Sequence, residues 1–205
     1  MKIAIIGTGN VGGALATKWS TAGHHIFLGV QDQNQFKGKQ LLLNPQTEAC
    51  SVSEAVERAE VVLLATPAPV AAEVAKSLGD TSGKVVIDAM NIVRGNGPKG
   101  YSTTALAVLD HTSTKDVVKC FNTTGFNNME NPQYGEMAID AFMAGDSSLG
   151  KEVARQLAKD AGFAECYDIG GNANFQMMEQ FAFFWINLAM MQGQGRDIGF
   201  KLLKR

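Results

Sequence analysis

Gly7, Gly9 and Gly12 follow the apolar run of residues 3–6 in a Gly-x-Gly-x-x-Gly spacing. That spacing suits a phosphate-holding turn. Gly7 permits a tight turn out of a strand, Gly9 lets a pyrophosphate approach the backbone, and Gly12 lets the following helix pack close to the sheet. The helix start then turns free N–H groups and a positive dipole end toward the phosphates. Thr8, Asn10 and Val11 complete the set expected to line them. The chemistry implied is dinucleotide binding; the competing reading is an ordinary strand–turn–helix.

Where strands run parallel, ligands gather beyond their carboxyl ends, so residues that close each apolar run are the next candidates. Gln31 and Asp32 close the second run, and Asp32 stands about 20 residues after Gly12, near the offset of an acid that reads a ribose 2′-hydroxyl. It also lies past the last strand-like residue, where a solvated turn aspartate is the alternative. No arginine stands there to grip a 2′-phosphate, although Lys37 and Lys39 follow, so NAD and NADP both stay open. Thr66 and Pro67 close another run, with Thr66 a candidate for a cofactor ribose. Asn91 and Asn122 close two more and are candidates for a nicotinamide carboxamide or a substrate, unless they only satisfy turn backbone.

None of His24, His25 and His111 falls at an expected strand carboxyl end; His111 is placed in a connection. No Tyr-x-x-x-Lys pair and no metal-ligand spacing is present, so no catalytic side chain is assigned and no metal is expected. Asp88, Tyr134 and Asp168 are the remaining candidates for an acid. Lacking an obvious acid/base, the chain suits hydride exchange between two redox rings, which needs proximity and orientation.

The elements that must position these residues alternate between strand and helix. Strands are expected at 2–6, 25–30, 61–66, 84–90, 117–121, 138–145 and 164–169, with helices at 11–22, 69–78 and 149–161. Runs such as Val61-Val62-Leu63-Leu64-Ala65 suit strands buried on both faces. The fold class is therefore α/β, a doubly wound, mostly parallel sheet of the Rossmann type with a C-terminal apolar helix. Residues 122–134 read as a loop. The final helix, about 174–191, is apolar on nearly every side and so reads as buried; a dimer interface and a pocket wall are the other readings.

Composition sets the frame. At 205 residues, 45% hydrophobic and net charge -2, the chain fits one nucleotide-binding domain over 1–205, with 170–205 a helical extension. No nucleic-acid or membrane partner is indicated, the glutamate and amides of the last helix arguing against a span. Cys50, Cys120 and Cys166 form no disulfide framework, and no signal peptide is read. A cytoplasmic homodimer acting on a small redox substrate is expected.

The motifs Ile5-Ile6-Gly7-Thr8-Gly9-Asn10-Val11-Gly12, Ala65-Thr66-Pro67, Cys120-Phe121-Asn122-Thr123, Ala144-Gly145-Asp146 and Gly199-Phe200-Lys201-Leu202-Leu203 run in order along almost the whole chain. In them the chain resembles the NADP oxidoreductases that depend on coenzyme F(420), a deazaflavin, in their short single-domain form. The cytosolic domain of six-transmembrane metalloreductases and the N-terminal domain of pyrroline-carboxylate reductases are also similar. The resemblance implies hydride transfer between NADP(H) or NAD(H) and a flavin or deazaflavin, stacked near the loops at Thr66-Pro67, Asn91 and Asn122 and the last helix. Two stretches depart from it: Val30-Gln31-Asp32, where NADP-dependent members carry Ser and Arg, and Gly170-Gly171-Asn172. A carbonyl or imine reductase and a non-catalytic nucleotide sensor are the rival functions.

Overall fold

The computed structural model describes all 205 residues. In chain order its elements are β1 (Lys2–Ile6), α1 (Asn10–Thr21), β2 (His25–Val30), β3 (Thr47–Ser51), α2 (Val52–Arg58), β4 (Val61–Leu64), α3 (Ala71–Ser77), β5 (Val85–Asp88) and α4 (Thr104–His111). There follow β6 (Val117–Cys120), α5 (Phe126–Glu130), β7 (Gln133–Tyr134), β8 (Met137–Ala138), β9 (Ala141–Ala144), α6 (Ser148–Asp160), β10 (Cys166–Asp168) and α7 (Phe175–Ile186).

Eight strands form one sheet in the order β10-β9-β6-β5-β4-β1-β2-β3. Every pairing is parallel except β6 with β9. The order reverses at β1, which has β2 on one side and β4 on the other, so crossovers cover both faces with helices. All residues of β4, β5 and β6 are buried. Continuous apolar runs are what a strand covered on both faces requires. One core packs Ile3, Ile5 and Leu63 with Leu15 and Trp19 of α1 and Leu157 of α6. The other packs Ala4, Val62 and Val86 with Val56, Ala75 and Val108 of α2, α3 and α4. The doubly wound, mostly parallel sheet is thus the fold.

Several local expectations need correction. Between β2 and β4 lies a further strand–helix unit, β3 and α2. β3 is an edge strand with a half-exposed, mixed face, so it carries no apolar run. Its helix is announced only by a cap: the Ser51 hydroxyl accepts from Glu54 N–H at 3.2 Å. His111 ends α4 rather than lying in a connection; there the Thr103 hydroxyl accepts from Leu106 N–H. The stretch 122–134 contains α5, and 138–145 divides into β8 and β9.

The last helix is not buried all round. α7 and the wider π-type turn Asn187–Met191 bury Phe175, Met178, Glu179, Ala182, Trp185 and Ala189. Phe183 and Phe184 stay 42% and 51% exposed. The chain beyond it is tied down: Trp185 Nε1 and Asn128 Nδ2 both donate to Ile198 O. Lys201 Nζ and Leu202 N–H both donate to the buried Asp140 carboxylate, and Phe200 stacks on Phe181.

All three thiols are free and buried, and burial pushes Cys50 up to about 11. No helix is long and apolar enough to cross a membrane. No cluster of His, Cys, Asp or Glu is placed to hold a metal ion.

Candidate functional site

β1 runs straight into the glycine turn. Gly7 takes φ +105, a backbone conformation side chains resist, and a Cβ there would meet the Ala65 carbonyl at 2.6 Å. The end of β1 thus lies against the end of β4. Gly12 sits inside α1 where a Cβ would come within 1.9 Å of Gly7 O, so the helix touches the turn with nothing between. Gly9 differs: a Cβ there meets no atom within 4 Å. That open side lies at the helix start, where no side chain caps the N-terminus and no acid occupies the first turn. Unpaired N–H groups beside open space form a cradle for an anion.

The separate tasks of the glycines predict separable effects. Gly9→Ala, at an ordinary φ of −76, should leave the fold nearly as stable as the parent. It should weaken NADPH or NADH by roughly tenfold, the equivalent of about 1.4 kcal/mol, as measured by calorimetric titration. Unchanged affinity would place the pyrophosphate elsewhere.

The cradle continues into a cavity of about 360 Å³ beyond the carboxyl ends of β1, β2 and β4, where Gly7, Thr8, Gln31, Asp32, Phe36 and Thr66 meet. Asp32 Oδ1 accepts from Asn34 N–H at 2.8 Å, so one oxygen holds the turn and the other is left for a ligand. The Thr8 hydroxyl donates to Lys37 O, which lays residues 33–38 against the glycine turn. Lys39 Nζ is engaged with Asn34 O. Thr8, Gly9, Asn10 and Lys37 also line an adjoining cavity of about 240 Å³. Val11 packs its side chain on the core, leaving only its backbone for the site. A larger cavity, about 690 Å³, lies between Met1 and α6 and touches none of the expected residues.

On the other side of the glycine turn, the expected residues behave differently. The Thr66 hydroxyl donates to Met90 Sδ at 3.2 Å, a weak acceptor readily exchanged for a better one. Pro67 is exposed and opens a short 3-10 turn ahead of α3. Asn91 and Asn122 pair with each other: Asn91 Nδ2 donates to Asn122 O, and Asn122 Nδ2 donates to Asn91 Oδ1, both at 2.8 Å. Asn122 Nδ2 also reaches Met178 O, which consumes its donors, while its buried Oδ1 has no partner. An unmet buried acceptor costs about 1–3 kcal/mol.

Beneath this pair lies a cluster that the sequence reading missed. Lys119, fully buried on β6, donates to Asp88 Oδ2 at 2.8 Å, to Met90 O and to the Thr104 hydroxyl. Glu179 of α7 stands 3.1 Å from the same ammonium. Its Oε1 accepts from Thr104 N–H and its Oε2 from Ile92 N–H. Asp88 Oδ1 accepts from Met90 N–H. The loop that follows β5 therefore hangs from Asp88, Lys119 and Glu179. The signal was a lysine inside the apolar run Val117-Val118-Lys119-Cys120, which a two-face-buried strand tolerates only when paired.

Asp88 thus belongs to a closed network and is not a free acid. The Tyr134 hydroxyl donates to Asn128 Oδ1, and burial pushes its phenol up, partly offset by that bond. Against a burial that would raise it, hydrogen bonds from Lys151 and Gly170 N–H hold the Asp168 carboxyl below the usual range.

Three comparisons bear on this geometry. The curated glycerol-3-phosphate dehydrogenase [NAD(P)+] of Thermoanaerobacter sp. (strain X514) is 26% identical over 68% of the chain, which spans only 42% of that protein. A proposed F420-dependent NADP-reductase from Arthrobacter sp. FB24 superposes over the whole length of both chains, with TM-score 0.83 at 23% identity. A reductive aminase from Aspergillus terreus, solved with NADPH and ethyl levulinate, matches 94% of this chain and 62% of its own, with TM-score 0.68 at 14% identity. Likeness at those identities establishes the fold. The family described as NADP oxidoreductase coenzyme F420-dependent matches residues 2–92, the stretch holding the glycine turn, the cavity beyond it and Asn91. Over residues 2–92, less than half of its length, the chain is thus similar to that family.

Proposed function

We propose that the protein passes hydride between a nicotinamide dinucleotide, NADP(H) or NAD(H), and a flavin or deazaflavin acceptor. The first-turn N–H groups of α1 would hold the pyrophosphate at Gly9, and Thr8 and Asn10 would flank it. Gln31 and Asp32 would read the adenosine ribose. Thr66, once released from Met90, would bind toward the second ribose, and Pro67 stiffens the edge of that path. Asn122 Oδ1 offers an acceptor to an incoming carboxamide, with Asn91 holding the side chain in place. When bound, the nicotinamide supplies the hydride, and the protein supplies binding and orientation.

One observation carries the choice of acceptor: the titratable side chains packed beneath Asn91 and Asn122, namely Asp88, Lys119 and Glu179, are all spent on one another, on Thr104 and on backbone. Carbonyl or imine reduction needs a positioned proton donor; transfer between two rings does not. The proposal extends to a homodimer, for which the exposed Phe183, Phe184, Met190 and Met191 supply an apolar surface.

Stopped-flow oxidation of NADPH and of NADH, run against FMN, riboflavin and a deazaflavin, tests the reading. Acceleration by one of these rings is expected. Oxidation driven only by carbonyl compounds would favour a reductase with its own acid. Tight nucleotide binding with no oxidation would favour a sensor.

A further inference from the structure

The cluster beneath the Asn91–Asn122 pair is unbalanced in charge. Lys119 contributes one positive charge, Asp88 and Glu179 one negative charge each. Donors face both oxygens of each carboxylate: Met90 N–H, the Thr104 hydroxyl and Lys119 for Asp88, and Thr104 N–H, Ile92 N–H and Lys119 for Glu179. Oxygens that only accept are those of an ionised carboxylate. The three groups are almost wholly enclosed, with side-chain exposures of 0%, 0% and 8%, so water and salt reach the surplus only from the Glu179 side, where that residue borders an open cavity of about 360 Å³. Arg94 in the same loop lines that cavity too, but it is exposed and forms no ion pair with Glu179.

A packing device would be better served by a balanced pair or by apolar residues, which replace buried ions at little cost. The surplus also sits at a specific place. Lys119 binds Met90 O, next to Asn91, and Met178 O, next to Glu179, accepts from Asn122. We propose that this enclosed negative charge favours the oxidised, positively charged nicotinamide over the reduced, neutral one, and so poises the site to give hydride away. The inference rests on the proposed dinucleotide site, with the nicotinamide lying over residues 90–92 and 122. A fixed charge in a low-dielectric wall acts where charge develops without needing to reorganise.

The test is the ratio of dissociation constants for NADP+ and NADPH (or for NAD+ and NADH, whichever pair binds more tightly), measured by titration. The parent protein should bind the oxidised form at least as tightly as the reduced one; a clear preference for the reduced form overturns the inference. Glu179→Gln, which removes one unit of charge at nearly constant shape, should weaken the oxidised form relative to the reduced by about fivefold or more, as expected for a unit charge several ångströms away at an effective protein dielectric. Should that variant not fold, Asp88→Asn removes the same charge from the other side of Lys119. Affinity for 2′,5′-ADP or ADP should be unchanged in either variant. Equal weakening of both nicotinamide forms, or an unchanged ratio, reduces the cluster to a structural staple and overturns the inference. If the parent protein binds neither form, the dinucleotide site itself is wrong.

Discussion

Gly12→Ala is expected to destabilise the protein by about 3 kcal/mol or more and to lower Tm by on the order of 10 °C. The added methyl would stand 1.9 Å from Gly7 O and 3.1 Å from Gly7 C, both backbone atoms that cannot swing aside. Relief requires α1 to lift from β1. α1 carries Leu15, Ala16 and Trp19 into the core, and Trp19 Nε1 donates to Leu157 O of α6, so lifting it disturbs two interfaces. Dinucleotide binding should fall too, because the first-turn N–H groups move with the helix. Thermal melting of Gly12→Ala beside Gly9→Ala separates the two glycines; equal stability of both variants would contradict the close helix–turn contact.

Lys119→Met is expected to cost about 3–5 kcal/mol, the range for removing one partner of a buried ion pair. Methionine fills the space but leaves Asp88 and Glu179 facing each other without their cation, and leaves Met90 O without a donor. The damage should be largest in the loop after β5 and at α7, since Glu179 joins them through Ile92 and Thr104 N–H. Chemical denaturation gives the magnitude, and hydrogen exchange at residues 89–104 gives its location. A variant as stable as its parent would mean that the ammonium does not balance these carboxylates.

How far the sequence could be read depended on what each residue must satisfy. β1 and β2 end where their apolar runs do, because both are flanked by neighbours and covered on both faces. β3 escaped because an edge strand has one partner and need not be apolar, and its Glu48 and Thr47 look like loop. The glycine turn was legible because Gly7 and Gly12 answer backbone demands that only glycine meets, and Gly9 completes the spacing between them. Asn91 and Asn122 were legible as strand-end polar residues, but their pairing was not, since it joins loops 31 residues apart. Asp88 and Lys119 are likewise 31 residues apart, Glu179 lies further on, and their charges looked like isolated exceptions in apolar segments. An apolar circumference on α7 could not say which face is covered; Phe175, Met178 and Trp185 went inward while Phe183 and Phe184 did not.

The most direct measurement follows the hydride itself. The protein is mixed with NADPH dideuterated at nicotinamide C4 and with a deazaflavin, and the reduced acceptor is examined by mass spectrometry. The reduced deazaflavin is expected to carry one deuterium, held on its ring carbon where it does not exchange with water. Nucleotide bound without reduction of the acceptor, or a reduced acceptor carrying no deuterium, would contradict direct transfer between the two rings.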